Sequence, residues 1–408
     1  MLFAQIVIYL ALLAFLAQKN FKAAVQILIL FLPSYFIRFN LGPLPSSLLE
    51  VTFGVIFAVW VFKYSKKDFE EIKKFFVEQR SFCYLALAFL VFSTVGILVS
   101  GEIVKSLGIW RAYFLEPFLF FVMLIGQRKN ISKNDLIWFL SLSTVSISVL
   151  AIVQKITGHL YSPTLRPQDI IDLHGRVTSF FTSPNAVGLY LAPIVPMMIY
   201  GLKDKNLKKY YAAILALALI AILLSFSEGA WVALAVAGLV GLFLLGYRKV
   251  VGGLVAVFII AILAIYPLRH NLTLQNRSGN NRLVLWGYTW NYLTQSPKNF
   301  IAGAGFRQWF DKVQKPVNDF KKIEPLIYPH NIFLNFWSEA GLLAMLAFVG
   351  CYVWAVKMAY LSYKKEKLLG TLLLSMLVVF LVHGLVDVPY FKNDLSFLWW
   401  IILAVIYI

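Results

Sequence analysis

Apolar runs of membrane-spanning length recur along this sequence, at about 2–18, 23–37, 45–62, 82–100, 107–126, 136–157, 186–202, 210–226, 229–247, 251–268, 331–356, 368–387 and 395–408. A helix needs roughly 20 apolar residues to cross a bilayer, and its backbone amides must be satisfied within the segment. The runs predict an all-α polytopic membrane protein of about 12–13 transmembrane helices, with one long external loop between the tenth and eleventh. Composition excludes the alternatives. Of 408 residues, 60% are apolar and only 14% charged, whereas soluble domains carry about 25% charged residues and disorder requires low hydrophobicity. Cys83 and Cys351 lie inside apolar runs without metal-type spacing and read as packing residues. The first run lacks the basic front end and small-x-small cleavage pattern of a signal peptide and reads as an anchor. No repeat or soluble segment is visible, so 1–408 reads as a single membrane domain.

The formal charge of +18 is a record of topology, not of nucleic-acid binding. One alternating set of loops holds most of the short-loop lysines and arginines: Lys19 and Lys22, the stretch from Lys63 to Arg80, Arg128 to Lys133, Lys203 to Lys209, Arg248 and Lys249, and Lys357 to Lys367. The opposite set has only Arg38, Lys105, Arg111, Lys155, Arg166, Arg176 and Lys392. The positive-inside rule places the first set in the cytoplasm. Both sizeable hydrophilic segments, 158–185 and 269–329, are then extracytoplasmic. Pro33, Pro117, Pro193 and Pro196 interrupt spans without recurring at matching places in two halves, which counts against a secondary transporter.

Chemistry-bearing residues gather in those segments. Arg176 stands ten residues before an apolar run, where a guanidinium can bond a phosphate in a two-pronged way or simply snorkel to the interface. Asn185, just before the helix, reads as a cap. The segment 269–329 interleaves Arg269, Arg277, Arg282, Lys298, Arg307, Lys312, Lys315, Lys321 and Lys322 with Trp286, Tyr288, Trp290, Phe300, Phe306, Trp309 and Phe310. Such a layer suits an anionic lipid head and stacked sugar rings, or an aromatic belt with headgroup-binding cations. The next span opens Tyr328-Pro329-His330-Asn331. Pro329 suits the first turn of a helix, which places His330 at its N-terminus, where the dipole disfavours an imidazolium. Asn331, Asn335 and Glu339 follow at i, i+4 and i+8, a polar stripe facing protein or water. Glu339 lies about two and a half turns beyond His330 and cannot orient it directly, so it reads as structural.

At these residues the chain resembles the O-antigen ligase / O-antigen polymerase superfamily of bacterial envelope glycosyltransferases. His330-Asn331, Leu334 and Glu339-Ala340-Gly341 are similar to its histidine–asparagine…glutamate-x-glycine signature. Gly175-Arg176 with Phe180-Phe181 and Ser183-Pro184-Asn185-Ala186 resembles its external arginine motif. Arg282-Leu283…Trp286 with Pro297…Gly303-Ala304-Gly305-Phe306 resembles its large-loop motif, and His383-Gly384 with Asp387-Val388-Pro389 its C-terminal pattern. One departure is Ser227-Glu228-Gly229, where the family usually has Ser-Arg-Gly.

The resemblance implies a metal-independent, inverting transfer at the extracytoplasmic face of the bacterial inner membrane. The donor would be an undecaprenyl-pyrophosphate-linked glycan and the acceptor a hydroxyl on a lipid or glycan, with no cofactor. It implies His330 as general base, Arg176 and Arg282 on the pyrophosphate, and Asn331 and Glu339 in support. Consistently, no Asp-x-Asp pair occurs in the chain. Ligase and polymerase stay open, differing only in acceptor, and a lipid-linked oligosaccharide transporter is the rival of another class. The spatial expectation is that His330, Arg176 and Arg282 converge beside the outer leaflet.

Overall fold

The computed structural model describes residues 2–41, 44–162, 165, 167–264, 277–317, 323 and 326–408. Among them, six helices are long and apolar enough to cross a membrane: Arg80–Ser100, Ile103–Gly126, Lys133–Thr157, Glu228–Leu245, Leu342–Lys365 and Lys367–Gly384. The bent pair Leu48–Lys63 and Ser65–Glu78 makes a seventh if it counts as one span. Shorter apolar helices run through Gln5–Lys19, Phe21–Leu30 and Asn393–Tyr407. The chain is an all-α polytopic membrane protein.

Several apolar runs are broken within the fold, for local reasons. In 186–202, Pro193 and Pro196 split the run into Pro184–Leu191, a 3-10 turn Ala192–Ile194, and Val195–Gly201, because a proline ring removes a backbone donor. In 331–356, Gly341 at φ +91° separates Ile332–Ala340 from Leu342–Lys365. The run 23–37 stops at Leu30 and continues as a 3-10 turn, Leu32–Phe36, with Pro33 in its first turn. Beyond it lies a small antiparallel hairpin, Arg38–Leu41 with Leu44–Ser47, in which Arg38 pairs with Ser47. Only Arg38–Leu41 alternates polar and apolar residues; its partner holds Pro45, and four residues are too few to announce a strand.

The chain divides into two compact units, Met1–Arg80 with Ala112–Val232 and Pro389–Ile408, and Ser81–Arg111 with Ala233–Val388. In the first, Lys133–Thr157 packs along Lys208–Leu224, with Trp138 edge-on to Tyr211 at 5.1 Å. The helix Asn393–Tyr407 is buried almost throughout, its Trp400 ring 5.3 Å from both Phe118 and Phe121. In the second unit, Leu342–Lys365 and Lys367–Gly384 form a hairpin, tied where Tyr352 Oη donates to the Leu377 carbonyl at 2.9 Å. Phe336 packs tilted against Phe348, with centroids 4.3 Å apart, and lies 5.5 Å from Phe89.

The long hydrophilic segment has its own core in this second unit. Leu285, Ala304, Trp309, Val313 and Ile323 are buried together, and Trp309 Nε1 donates to Thr289 Oγ1 at 2.9 Å. A glycine clasp fastens it to the break at residue 341. The amides of Ala304 and Gly305 both donate to the Ser338 carbonyl, and that of Phe306 to the Gly96 carbonyl. Gly303 (φ +71°) and Gly305 (φ +96°) lie so close that a Cβ would come within 2.5 Å of Ser338 O and 2.6 Å of Ser100 Cα. Those atoms are backbone and cannot swing aside. Gly305→Val is therefore expected to cost about 3 kcal/mol or more, read as a fall in melting temperature of the detergent-solubilised protein. An unchanged melting temperature would show that the clasp does not hold the segment.

Candidate active site

In the second unit, three stretches distant in sequence meet at the turn that follows Lys367–Gly384. The half-helix Ile332–Ala340 begins three residues after Pro329 and so leaves the proline outside its first turn. Asn331 is its N-cap, its side-chain oxygen accepting from the amides of Phe333 (3.0 Å) and Leu334 (3.1 Å). Asparagine is among the best N-caps, and this geometry outcompetes Pro329 as the helix start. The Asn331 amide nitrogen then donates to the Leu385 carbonyl at 3.0 Å. From the helix Arg277–Thr294, Arg282 Nε donates to the neighbouring Val386 carbonyl at 2.9 Å. One turn along, Trp286 Nε1 donates to the Pro329 carbonyl at 3.0 Å.

His330 thus stands just outside the helix, at φ +53°. A non-glycine residue held in the left-handed region stores about 1–3 kcal/mol, and such strain clusters at functional sites. Asp387 Oδ1 lies 3.3 Å from His330 Nδ1, an approach short of full hydrogen-bond alignment. The His330 side chain is 19% exposed and that of Asp387 only 3%. The Tyr328 ring packs against the imidazole, with centroids 4.8 Å apart. Burial by itself would raise the Asp387 carboxyl. The opposing influences of His330, then His383 and the Val388 amide, outweigh it and hold the group below the usual carboxylate range. Asp387 therefore stays ionised, and its place beside His330 is what sequence reasoning missed. Its only signal was a place in the C-terminal Asp-Val-Pro motif; nothing in the spacing could pair residues 330 and 387.

Glu339 and Asn335 on the expected polar stripe are both buried. The Glu339 carboxylate receives the backbone amide of Arg307, which ties the half-helix to the loop segment and not to His330. The expected basic and aromatic layer divides in two. Lys312 is a strut, its ammonium donating to the carbonyls of Val99 (2.8 Å) and Ala304 (2.7 Å); burial, then the charge of Lys298, lowers its pKa. Phe306 and Trp309 are core, whereas Trp290 and Phe300 are exposed. Arg166, Arg269, Lys321 and Lys322 lie outside the described residues, as does the side chain of Arg277.

Arg176 belongs to the first unit. The segment carrying it is anchored by the buried side chain of Gln154, which accepts from the amides of Thr178 and Ser179 and donates to the carbonyls of Leu160 and Ser179. The guanidinium donates through Nε to the Ser225 carbonyl at 3.0 Å, and through Nη2 to the Phe226 carbonyl and Asn185 Oδ1, each at 3.1 Å. Asn185 is thus an orienter of Arg176 and not a cap; Ser183 holds the cap position and Pro184 the first turn. The departure from the family pattern, Glu228, is an exposed acid in the first turn of Glu228–Leu245, where a negative charge suits the helix dipole.

Among the described residues, no group of three or more His, Cys, Asp or Glu side chains could hold a metal ion. Around the turn 385–387, the second unit brings together the His330 imidazole, the Asp387 carboxylate and the Arg282 guanidinium. Residues 213–349 match the family model described as O-Antigen ligase. That match includes Arg282, His330, Asn331 and Glu339; Arg176 and Asp387 fall outside it. No curated protein matches the chain.

Proposed function

We propose that the chain, a multi-pass membrane protein whose residues 213–349 match the O-Antigen ligase family model, transfers a glycan from a polyprenyl-pyrophosphate carrier to an acceptor hydroxyl at the extracytoplasmic face of a bacterial inner membrane. The observation that carries this reading is the approach of Asp387 to His330 beside the anchored Arg282. His330 takes the proton of the acceptor hydroxyl, whose oxygen attacks the anomeric carbon. The bond from that carbon to the pyrophosphate oxygen breaks, and the carrier leaves with the bonding pair. Attack opposite the leaving group inverts the anomeric configuration. Arg282 stabilises the growing pyrophosphate charge; Arg176, which the sequence resemblance assigns to pyrophosphate binding, stands in the first unit. Asn331 holds the turn at Leu385 in place, and Glu339 secures the loop segment.

Asp387→Asn tests the orienting carboxylate. It keeps the shape of the side chain and removes its charge, so transfer is expected to fall by about tenfold or more while donor KM holds. A normal rate with an unchanged donor KM would remove Asp387 from the mechanism.

Guanidinium groups stabilise the leaving pyrophosphate in this scheme, so transfer in proteoliposomes should be the same with and without EDTA. Activity lost on chelation and restored by magnesium would contradict it.

A further inference from the structure

The basic stretch that signals topology has a second property in three dimensions. The helix Ser65–Glu78 turns 94° away from Leu48–Lys63. It carries Lys66, Lys67, Lys73 and Lys74 with Asp68, Glu70, Glu71 and Glu78, too much charge for hydrocarbon. It therefore runs along the membrane surface. Its inner face is fixed to the first unit. The buried Asp68 Oδ2 accepts from Trp60 Nε1 at 2.7 Å and Gln127 Nε2 at 2.5 Å. Glu71 pairs with Arg128 at 2.8 Å and Lys129 at 2.6 Å. Phe75 is buried edge-on to Phe121 and Tyr407.

The outer face is the reverse. Two acids are engaged inward, while Lys66, Lys67 and Lys73 are exposed and have no ion-pair partner among the described residues. Lys74 reaches Glu78 only at 3.9 Å, and Glu70 is the other exposed acid on this side. Phe69 is 59% exposed and Val77 61%, with Phe62 at 90% just before the bend. At 3.6 residues per turn, Phe69, Lys73, Lys66 and Val77 fall within one sector of roughly 80°. Unpaired ammonium groups beside unpartnered apolar side chains match a phosphate headgroup and its acyl chains. A free phosphate ion would leave Phe69 and Val77 with nothing to cover them.

We propose that Ser65–Glu78 is a binding surface for anionic phospholipid in the leaflet on the lysine-rich side of the membrane. Lys66, Lys67 and Lys73 meet the headgroups, and Phe69 and Val77 enter the acyl region. Because Asp68 and Glu71 join this helix to residues 60 and 127–129, lipid bound there steadies the ends of the adjoining helices.

The test uses the full chain in neutral detergent micelles, titrated separately with phosphatidylglycerol, phosphatidylcholine and inorganic phosphate while melting temperature is followed. Phosphatidylglycerol alone should raise it, with an effect that weakens as salt is added. The Lys66→Gln/Lys67→Gln/Lys73→Gln variant should keep the lipid-free melting temperature of the wild type, since all three side chains are exposed. It should need roughly fivefold more phosphatidylglycerol for each lysine replaced, and the corresponding Arg variant should not. Equal shifts from phosphatidylcholine or phosphate would overturn the proposal. So would a glutamine variant with wild-type lipid response or, should that variant unfold, a wild-type response indifferent to salt.

Discussion

His330→Ala should abolish most glycan transfer, by about 10²–10⁴-fold, the usual contribution of a positioned general base. Binding of the donor should persist, because in the proposed mechanism the imidazole acts on the acceptor hydroxyl and not on the pyrophosphate. The structure also indicates how the variant should fold. His330 precedes the helix, and the cap belongs to Asn331, so no helix-starting hydrogen bond is lost. Relief of the positive φ is small compensation, since alanine in that region is strained too. Melting temperature should therefore stay near that of the wild type. A His330→Ala protein that transfers glycan at the normal rate would remove His330 as base. One that loses donor binding and transfer together would point to a structural collapse.

The second large effect is expected at Arg282. Removing a group that stabilises developing charge typically costs about 10²–10³-fold in rate, and Arg282→Ala should also raise donor KM. Arg282→Lys separates two roles of the side chain. A lysine can still donate to the Val386 carbonyl, which Arg282 Nε holds at 2.9 Å, but it cannot present a planar two-pronged fork to a pyrophosphate. If the carbonyl contact is what matters, the lysine variant should recover nearly full activity. If pyrophosphate recognition matters, as proposed, it should remain well below wild type. Donor affinity and turnover both unchanged in Arg282→Ala would end the pyrophosphate role.

The architecture was legible because hydropathy is a long-range average. Runs of apolar residues at the length of a bilayer say membrane helix whatever their neighbours are. What interrupts them is local and partly hidden. Pro193 and Pro196 were visible breakers, but Gly341 breaks its run by adopting φ +91° against a loop some forty residues earlier in sequence, which a pattern of residues does not reveal. His330 drew notice as a polar residue opening an apolar run. Asp387 drew notice only within a motif and not as the neighbour of His330, since a contact between residues 330 and 387 is a product of tertiary folding. Asn331 and Asn185 show the same limit in miniature. Asn331 reads as part of a polar stripe and is the cap, whereas Asn185 reads as a cap and instead accepts from Arg176. Lys312 shows it for charge. Composition counts it with the anion-binding cations, yet its ammonium is spent on two backbone carbonyls.

The most direct measurement is release of polyprenyl pyrophosphate, followed against glycan transferred, by the purified chain in proteoliposomes containing carrier-linked glycan and a hydroxyl acceptor. Wild type should release one carrier for each glycan joined to acceptor, and His330→Ala should release almost none while still binding donor. Carrier released by both proteins at the same rate, or no acceptor-dependent release by the wild type, would contradict the account.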